Sequence, residues 1–305
     1  MEAFLQALAS GLALGSVYGL VALGFSITYS TTRTFNFGQG EFLVAGSLVG
    51  VTLLLLASGQ PHYATLAPQS MTGLSYLGVV LVSVVVVGLL GVVLYYGAVR
   101  PFLGSTNMNW VMSTIGFGII IQNTALAIWG PSSMAVPSPL GDGVIRILGA
   151  GIRPQELLVA GVAIGVTVAL DIALRKTRLG KALRAVAFSH DAAYLVGINV
   201  EKIVVMAFVL SSALAGLSGA LIAPITTASV FMGLNIALKA FSAAIVGGLT
   251  SPRGCVFGGF LLGMVESLVG LWRAEMREIV IFALIILVLV VRPQGLFGKR
   301  VAEKI

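Results

Sequence analysis

The chain has 305 residues, 58% hydrophobic and 10% charged, with a mean hydropathy of +1.04. A soluble globular chain carries about 25% charged residues, so this composition excludes a water-covered globule and places the chain in lipid. The net charge of +7 does not read as nucleic-acid binding, because the basic residues flank apolar blocks and form no soluble patch.

The opening MEAFLQALASG lacks a basic n-region and a clear cleavage site, so it is expected to stay as part of a mature helix. A spanning helix needs about 20 mostly apolar residues. On that criterion spans are predicted over Leu5–Tyr29, Phe42–Ala57, Leu77–Val99, Trp110–Trp129, Leu157–Leu174, Ile203–Ile222, Ile236–Leu249, Cys255–Leu271 and Ile279–Val291. The second fits only if it begins inside the polar break 30–41 (STTRTFNFGQGE), and the seventh and ninth are short. The expectation is therefore an all-α polytopic protein with about eight to ten crossings, some broken or re-entrant. The whole of 1–305 is one transmembrane domain, since no long polar region exists to form another. A loop with Pro61, His62 and Pro68 follows the second span, and Gly130–Glu156 holds Pro131, Pro137, Pro139 and Pro154.

Basic residues set the orientation. Arg33, Arg100, the run from Arg175 to Arg184, Lys202, Arg253, Arg292, Lys299, Arg300 and Lys304 fall on one side of the alternating spans. Arg146, Arg153, Arg273 and Arg277 fall on the other. The basic-rich side is cytoplasmic, which puts the N-terminus out and the C-terminus in.

The connector 174–203, LRKTRLGKALRAVAFSHDAAYLVGINVEKI, is the one long charge-dense run between apolar blocks. After its basic start, Leu183, Val186, Ala187, His190, Ala193 and Tyr194 recur at helical steps and predict one continuous face. Gly197 can end such a helix. An apolar-faced cytoplasmic helix is suited to docking on another protein, with Arg184, Ala187, His190, Tyr194 and Gly197 as candidate coupling residues.

Charge inside lipid is costly and usually faces a cavity or a partner. Glu41, Lys239 and Glu266 meet that description, and Asn36 and Gln39 lie beside Glu41 in the break; these five are the candidate pathway residues. For Glu41 a gate role and a helix-start carboxylate favoured by the dipole stand level. A structural Lys239–Glu266 ion pair is favoured over solute contact. Asp171 is expected to pair with Arg175 four residues on. The small residues Ser211, Ser212, Gly216, Ser218 and Gly219 predict close helix packing. The glycine-rich breaks at 36–41 and 245–254 are chemically alike, as in repeat-built transporters. Cys255 is expected to be a packing residue, and His62 and His190 have no metal-ligand spacing. No GxxxxGK[ST] phosphate loop and no catalytic constellation occur, so a membrane enzyme is disfavoured and ATP, if used, is bound by other chains. An ion-gradient-driven transporter using Glu41, Lys239 and Glu266 stays open.

Five stretches then resemble, in order, the LivH/LivM-type permeases of branched-chain amino-acid ABC importers. They are SVYGLVALGFSITYSTTRTFNFGQGEFLVAGS, STIGFGIIIQNTALAIWG, TRLGKALRAVAFSHDAAYLVGINVEK, LKAFSAAIVGGLTSPRGCVFGGFLLGMVESL and the closing RPQGLFG. The order and tail resemble the LivH-type subunit more than its LivM-type partner. The resemblance implies an inner-membrane permease subunit paired with a second, LivM-like permease. It also implies two cytoplasmic ATPase subunits and a periplasmic substrate-binding protein, with Ala182–Ile198 as the segment the ATPase receives. Gln39 stands where the family often has histidine, and Phe188 and His190 replace more polar or acidic residues. Urea, short-amide and other amino-acid importers share this architecture.

Overall fold

All nine apolar blocks are helical in the computed structural model, which describes residues 2–59, 73–102, 109–141, 143–147 and 150–298. His62 with its proline-flanked loop, and Lys299, Arg300 and Lys304, lie outside the described residues. The body consists of α1 (Glu2–Thr32), α2 (Gln39–Ala57), α3 (Gly73–Leu94), α4 (Asn109–Trp129), α5 (Pro154–Lys176), α8 (Val200–Thr226), α9 (Gly233–Gly247), α10 (Pro252–Trp272) and α11 (Arg277–Val291). Two short helices, α6 (Arg178–Phe188) and α7 (His190–Leu195), occupy the basic connector. A π-helical turn, Tyr95–Val99, and a 3-10 turn, Arg100–Phe102, continue α3. One antiparallel pair, β1 (Ile145–Ile147) with β2 (Ala150–Ile152), forms in the proline-containing loop and is the departure from a purely helical chain.

Seven described helices are long and apolar enough to cross a bilayer. The helices α9 and α11 have 15 residues each, about 22 Å at 1.5 Å per residue, short of the ~30 Å hydrocarbon core. They correspond to the two short blocks of the sequence. The start of α2 at Gln39 lies inside the polar break, which resolves the shortness of the second block.

Side-chain contacts at helix ends fix relative directions. Ser10 donates to Glu156 at 3.1 Å, joining the starts of α1 and α5. Arg253, at the start of α10, meets Asp171, near the end of α5. So α1 and α5 run parallel and α10 runs against them, and the basic connector after α5 marks the cytoplasmic side.

Helices approach closely where side chains are absent. Gly11, Gly15 and Gly19 of α1 lie on Gly263, Gly259 and Val256 of α10, and a Cβ on Gly15 would stand 2.8 Å from the Gly259 carbonyl oxygen. Spaced at four residues, these glycines form one stripe on α1, and in lipid such close backbone contact is a main source of helix association. Gly216 and Gly219 of α8 likewise receive Val87 of α3 and the backbone of α2, so the small-residue face of this span is a packing face.

Pro224 lies inside α8 and cannot donate to the Ala220 carbonyl one turn back. Tyr76 Oη donates to that carbonyl at 3.0 Å, and Gln155 Nε2 donates to the neighbouring Leu221 carbonyl at 3.2 Å. In lipid an orphaned carbonyl must find a partner within the protein; here Tyr76 of α3 supplies it for Ala220, and Gln155 of α5 adds a bond to the next carbonyl. The closing RPQGLFG works similarly. Leu296 and Phe297 donate backbone N–H groups to Val246 and Gly247, satisfying carbonyls at the end of α9.

Candidate functional site

The break between α1 and α2 is built by its polar residues. Arg33 has φ +57, a left-handed conformation that turns the chain back at the end of α1. Asn36 Oδ1 accepts from Gly38 N–H at 3.0 Å, and Asn36 Nδ2 donates to Gln39 Oε1 at 3.1 Å. Gln39 Nε2 donates to the Ser211 carbonyl at 2.9 Å, and Ser211 Oγ donates to Gln39 Oε1 at 3.2 Å. Asn36, Gln39 and Ser211 are fully buried. Their amides thus join the break to the middle of α8, and Gly24 of α1 leaves room for Gln39 beside Ser211.

Glu41 differs. It is in the first turn of α2, where the helix dipole favours a carboxylate. Its Oε2 is buried and has no hydrogen-bond partner among the described residues. Gly118 of α4 packs against this turn: a Cβ there would stand 3.1 Å from the Gly38 Cα and in ordinary contact, 3.5 Å, with the Glu41 Cγ. At the same break Tyr29, Phe35, Phe37, Trp110 and Phe241 form an aromatic block; Tyr29 stacks on Phe35 with centroids 4.7 Å apart, and Phe37 on Trp110 at 6.3 Å.

Lys239 Nζ and Glu266 Oε1 pair at 2.6 Å, joining α9 to α10, and Tyr18 Oη donates to Glu266 Oε2 at 2.9 Å from α1. The predicted pair therefore exists and has a third member that spacing could not reveal. Asp171 pairs with Arg175 at 3.2 Å, as expected, and also accepts a two-pronged contact from Arg253 at 2.7 and 2.8 Å. That second partner is 82 residues away in sequence.

The connector corrects the continuous face predicted for it. Ser189, with φ −158 and ψ 125, splits it into α6 and α7. Leu183, Val186 and Ala193 are buried against the chain's own body, so that stripe is not the free surface. The free surface is Phe188, Tyr194, Leu195 and Val196, with Phe188 90% and Leu195 84% exposed. Thr177, Ser189 and Asn199 cap α6, α7 and α8 by accepting from Gly180, Ala192 and Lys202 N–H groups at 3.0, 3.2 and 3.0 Å. At the other end of α7, Gly197 has φ +79. Ile198 N–H bonds the Ala193 carbonyl and Gly197 N–H the Tyr194 carbonyl, the paired closure that a left-handed glycine permits. Of the remaining candidates, Arg184 is exposed and reaches the Arg175 carbonyl at 3.3 Å, and Ala187 is half-buried. His190 hydrogen-bonds through Nε2 to the Thr31 carbonyl, tying α7 to the end of α1 just before the break.

A helical membrane body, broken helices around a polar interruption, and an apolar knob held out in the cytoplasm together define a multi-pass transport permease. Comparison with known proteins specifies the kind. Residues 7–289 match the family model described as branched-chain amino acid transport system, permease component. The chain is 32% identical to the high-affinity branched-chain amino acid permease LivH of Escherichia coli over 314 residues, covering 99% of this chain and 98% of that protein. It is 30% identical to BraD of Pseudomonas aeruginosa over 309 residues, with the same coverage, and 28% identical to the probable LivH of Methanocaldococcus jannaschii over 92% of this chain and 88% of that one. The chain belongs to this family of importer permeases and is a multi-pass protein of the inner membrane.

Proposed function

We propose that the chain forms one half of an ATP-driven import pore for branched-chain amino acids, completed by a LivM-like second permease. In this reading two cytoplasmic ATPase subunits power the pore, one of them gripping the Phe188–Tyr194–Leu195–Val196 knob of this chain, and a periplasmic binding protein delivers the solute. The observation that carries it is the contact of His190 with the Thr31 carbonyl. It links the exposed knob to the last turn of α1, two residues before the left-handed Arg33 that opens the break. A push on α7 is thereby delivered to the residues that hold Gln39 on α8.

Near the break, the open oxygen of Glu41 is the group we assign to the solute's ammonium, and the aromatic block formed at the same break suits a branched apolar side chain. The oxygen is covered in this conformation, so access requires α4 to move off the start of α2. Asn36, Gln39, Lys239 and Glu266 spend their polar groups on one another or on neighbouring helices. Their part is to hold the path's walls.

The test is a pair of variants in the reconstituted complex. Tyr194→Asp places charge on the docking face and is expected to prevent co-purification of the ATPase subunits while the permease stays in the membrane. His190→Ala is expected to keep co-purification and ATP hydrolysis but to lower uptake per ATP. Wild-type uptake per ATP in His190→Ala would show that the linkage carries no force.

A further inference from the structure

A cavity of about 560 Å3 opens at the cytoplasmic ends of α1, α5 and α10, with Ile27 and Ser30 of α1 in its wall. Asp171, Arg175, Arg184 and Arg253 form its polar wall, and Leu174 and Leu183 belong to its apolar wall. Arg253 and Arg175 both contact Asp171, and Arg184 lines the same cavity, so one carboxylate there is set against three guanidinium groups. Arg175 uses only Nε on Asp171, and its two terminal nitrogens make no hydrogen bond among the described residues. The guanidinium fork matches phosphate oxygens in pairs.

The position selects the source of the phosphate. The cavity sits where α5 ends in Arg175 and Lys176, the level of the anionic inner leaflet. Half of its wall is apolar, which a free anion would leave unused and an acyl chain would cover. We infer that this cavity binds the phosphate headgroup of an anionic phospholipid, with the adjoining acyl segment against Leu174 and Leu183. Because Leu183, Arg184 and Ala187 of α6 line it, the bound lipid braces the helix that leads into the exposed knob. The binding site itself does not depend on which solute the pore carries.

The experiment uses the purified full chain in nanodiscs of phosphatidylcholine, titrated with phosphatidylglycerol and followed by native mass spectrometry. One saturable lipid is expected. Arg175→Gln with Arg184→Gln is expected to weaken it roughly twenty-five-fold, since each basic group near an anionic leaflet contributes about fivefold. Asp171→Asn is expected to strengthen binding by releasing the guanidinium groups, a sign opposite to that of general damage. Should Asp171→Asn not fold, Arg184→Gln alone carries the test with a loss of about fivefold. Equal weakening by Arg178→Gln with Lys181→Gln, outside the cavity, would reduce the effect to diffuse surface charge and overturn the site. Displacement of the lipid by millimolar inorganic phosphate would assign the arginines to a free anion and overturn the lipid.

Discussion

Replacing Lys239 with methionine removes one member of the Tyr18–Glu266–Lys239 cluster and leaves the Glu266 carboxylate with Tyr18 alone. The two ionic side chains are 16% and 9% exposed and their charged atoms are 2.6 Å apart, so solvent cannot replace the lost partner. Removing one partner of a buried pair costs about 3–5 kcal/mol, whereas replacing both by apolar groups is often neutral or stabilising. Lys239→Met alone is therefore expected to lower stability by several kcal/mol. Lys239→Met with Glu266→Met is expected to recover most of it, less the ~1–3 kcal/mol for an unpartnered Tyr18 hydroxyl, which Tyr18→Phe should return. The assay is a double-mutant cycle read by thermal unfolding in nanodiscs. Additive losses in the double variant would refute the view that the pair is a closed structural unit.

Gly15→Leu would drive a side chain into the Gly259 carbonyl; overpacking of this kind costs about 1–3 kcal/mol or more, and membrane yield and melting temperature should both fall, whereas Gly165→Leu, with open space around it, should be tolerated. Pro224→Ala restores the missing α8 donor, so Tyr76→Phe should cost about 1 kcal/mol in the native background and almost nothing in the alanine background; an equal cost in both would remove the proline from the explanation. Gly197→Ala forces a left-handed conformation on a side chain, at about 1–2 kcal/mol, and should loosen α7, seen as faster amide exchange at Ile198 without a change in the membrane helices.

The membrane helices were legible because hydropathy is a local property: each apolar block became a helix, and the short blocks at Ile236 and Ile279 became the short helices. The polar break was legible for the same reason, and so was the Asp171–Arg175 pair, set by a four-residue step. What sequence order hides is contact between distant segments. The Gln39–Ser211 bond, the Tyr18–Glu266 bond and the Arg253–Asp171 contact each join residues on different helices, and no spacing rule reaches them. The connector misled because periodicity runs through Ser189, while the serine's extended backbone and its cap on Ala192 turn the second half of the segment. The cap was itself visible, since Ser-His-Asp-Ala offers an N-cap followed by an acidic first turn. The apolar block stops at Ile222 in hydropathy, yet the helix continues through Pro224 to Thr226 because Tyr76 takes up the freed Ala220 carbonyl.

The most direct test of the account is solute uptake by vesicles containing this chain and its partner permease, with and without the ATPase subunits, in the presence of loaded binding protein. Accumulation of leucine, isoleucine or valine should appear only when the ATPases and ATP are present, and should vanish when Tyr194 is aspartate. Accumulation at the same rate with no ATPase subunit present would contradict the claim that force enters through the cytoplasmic knob.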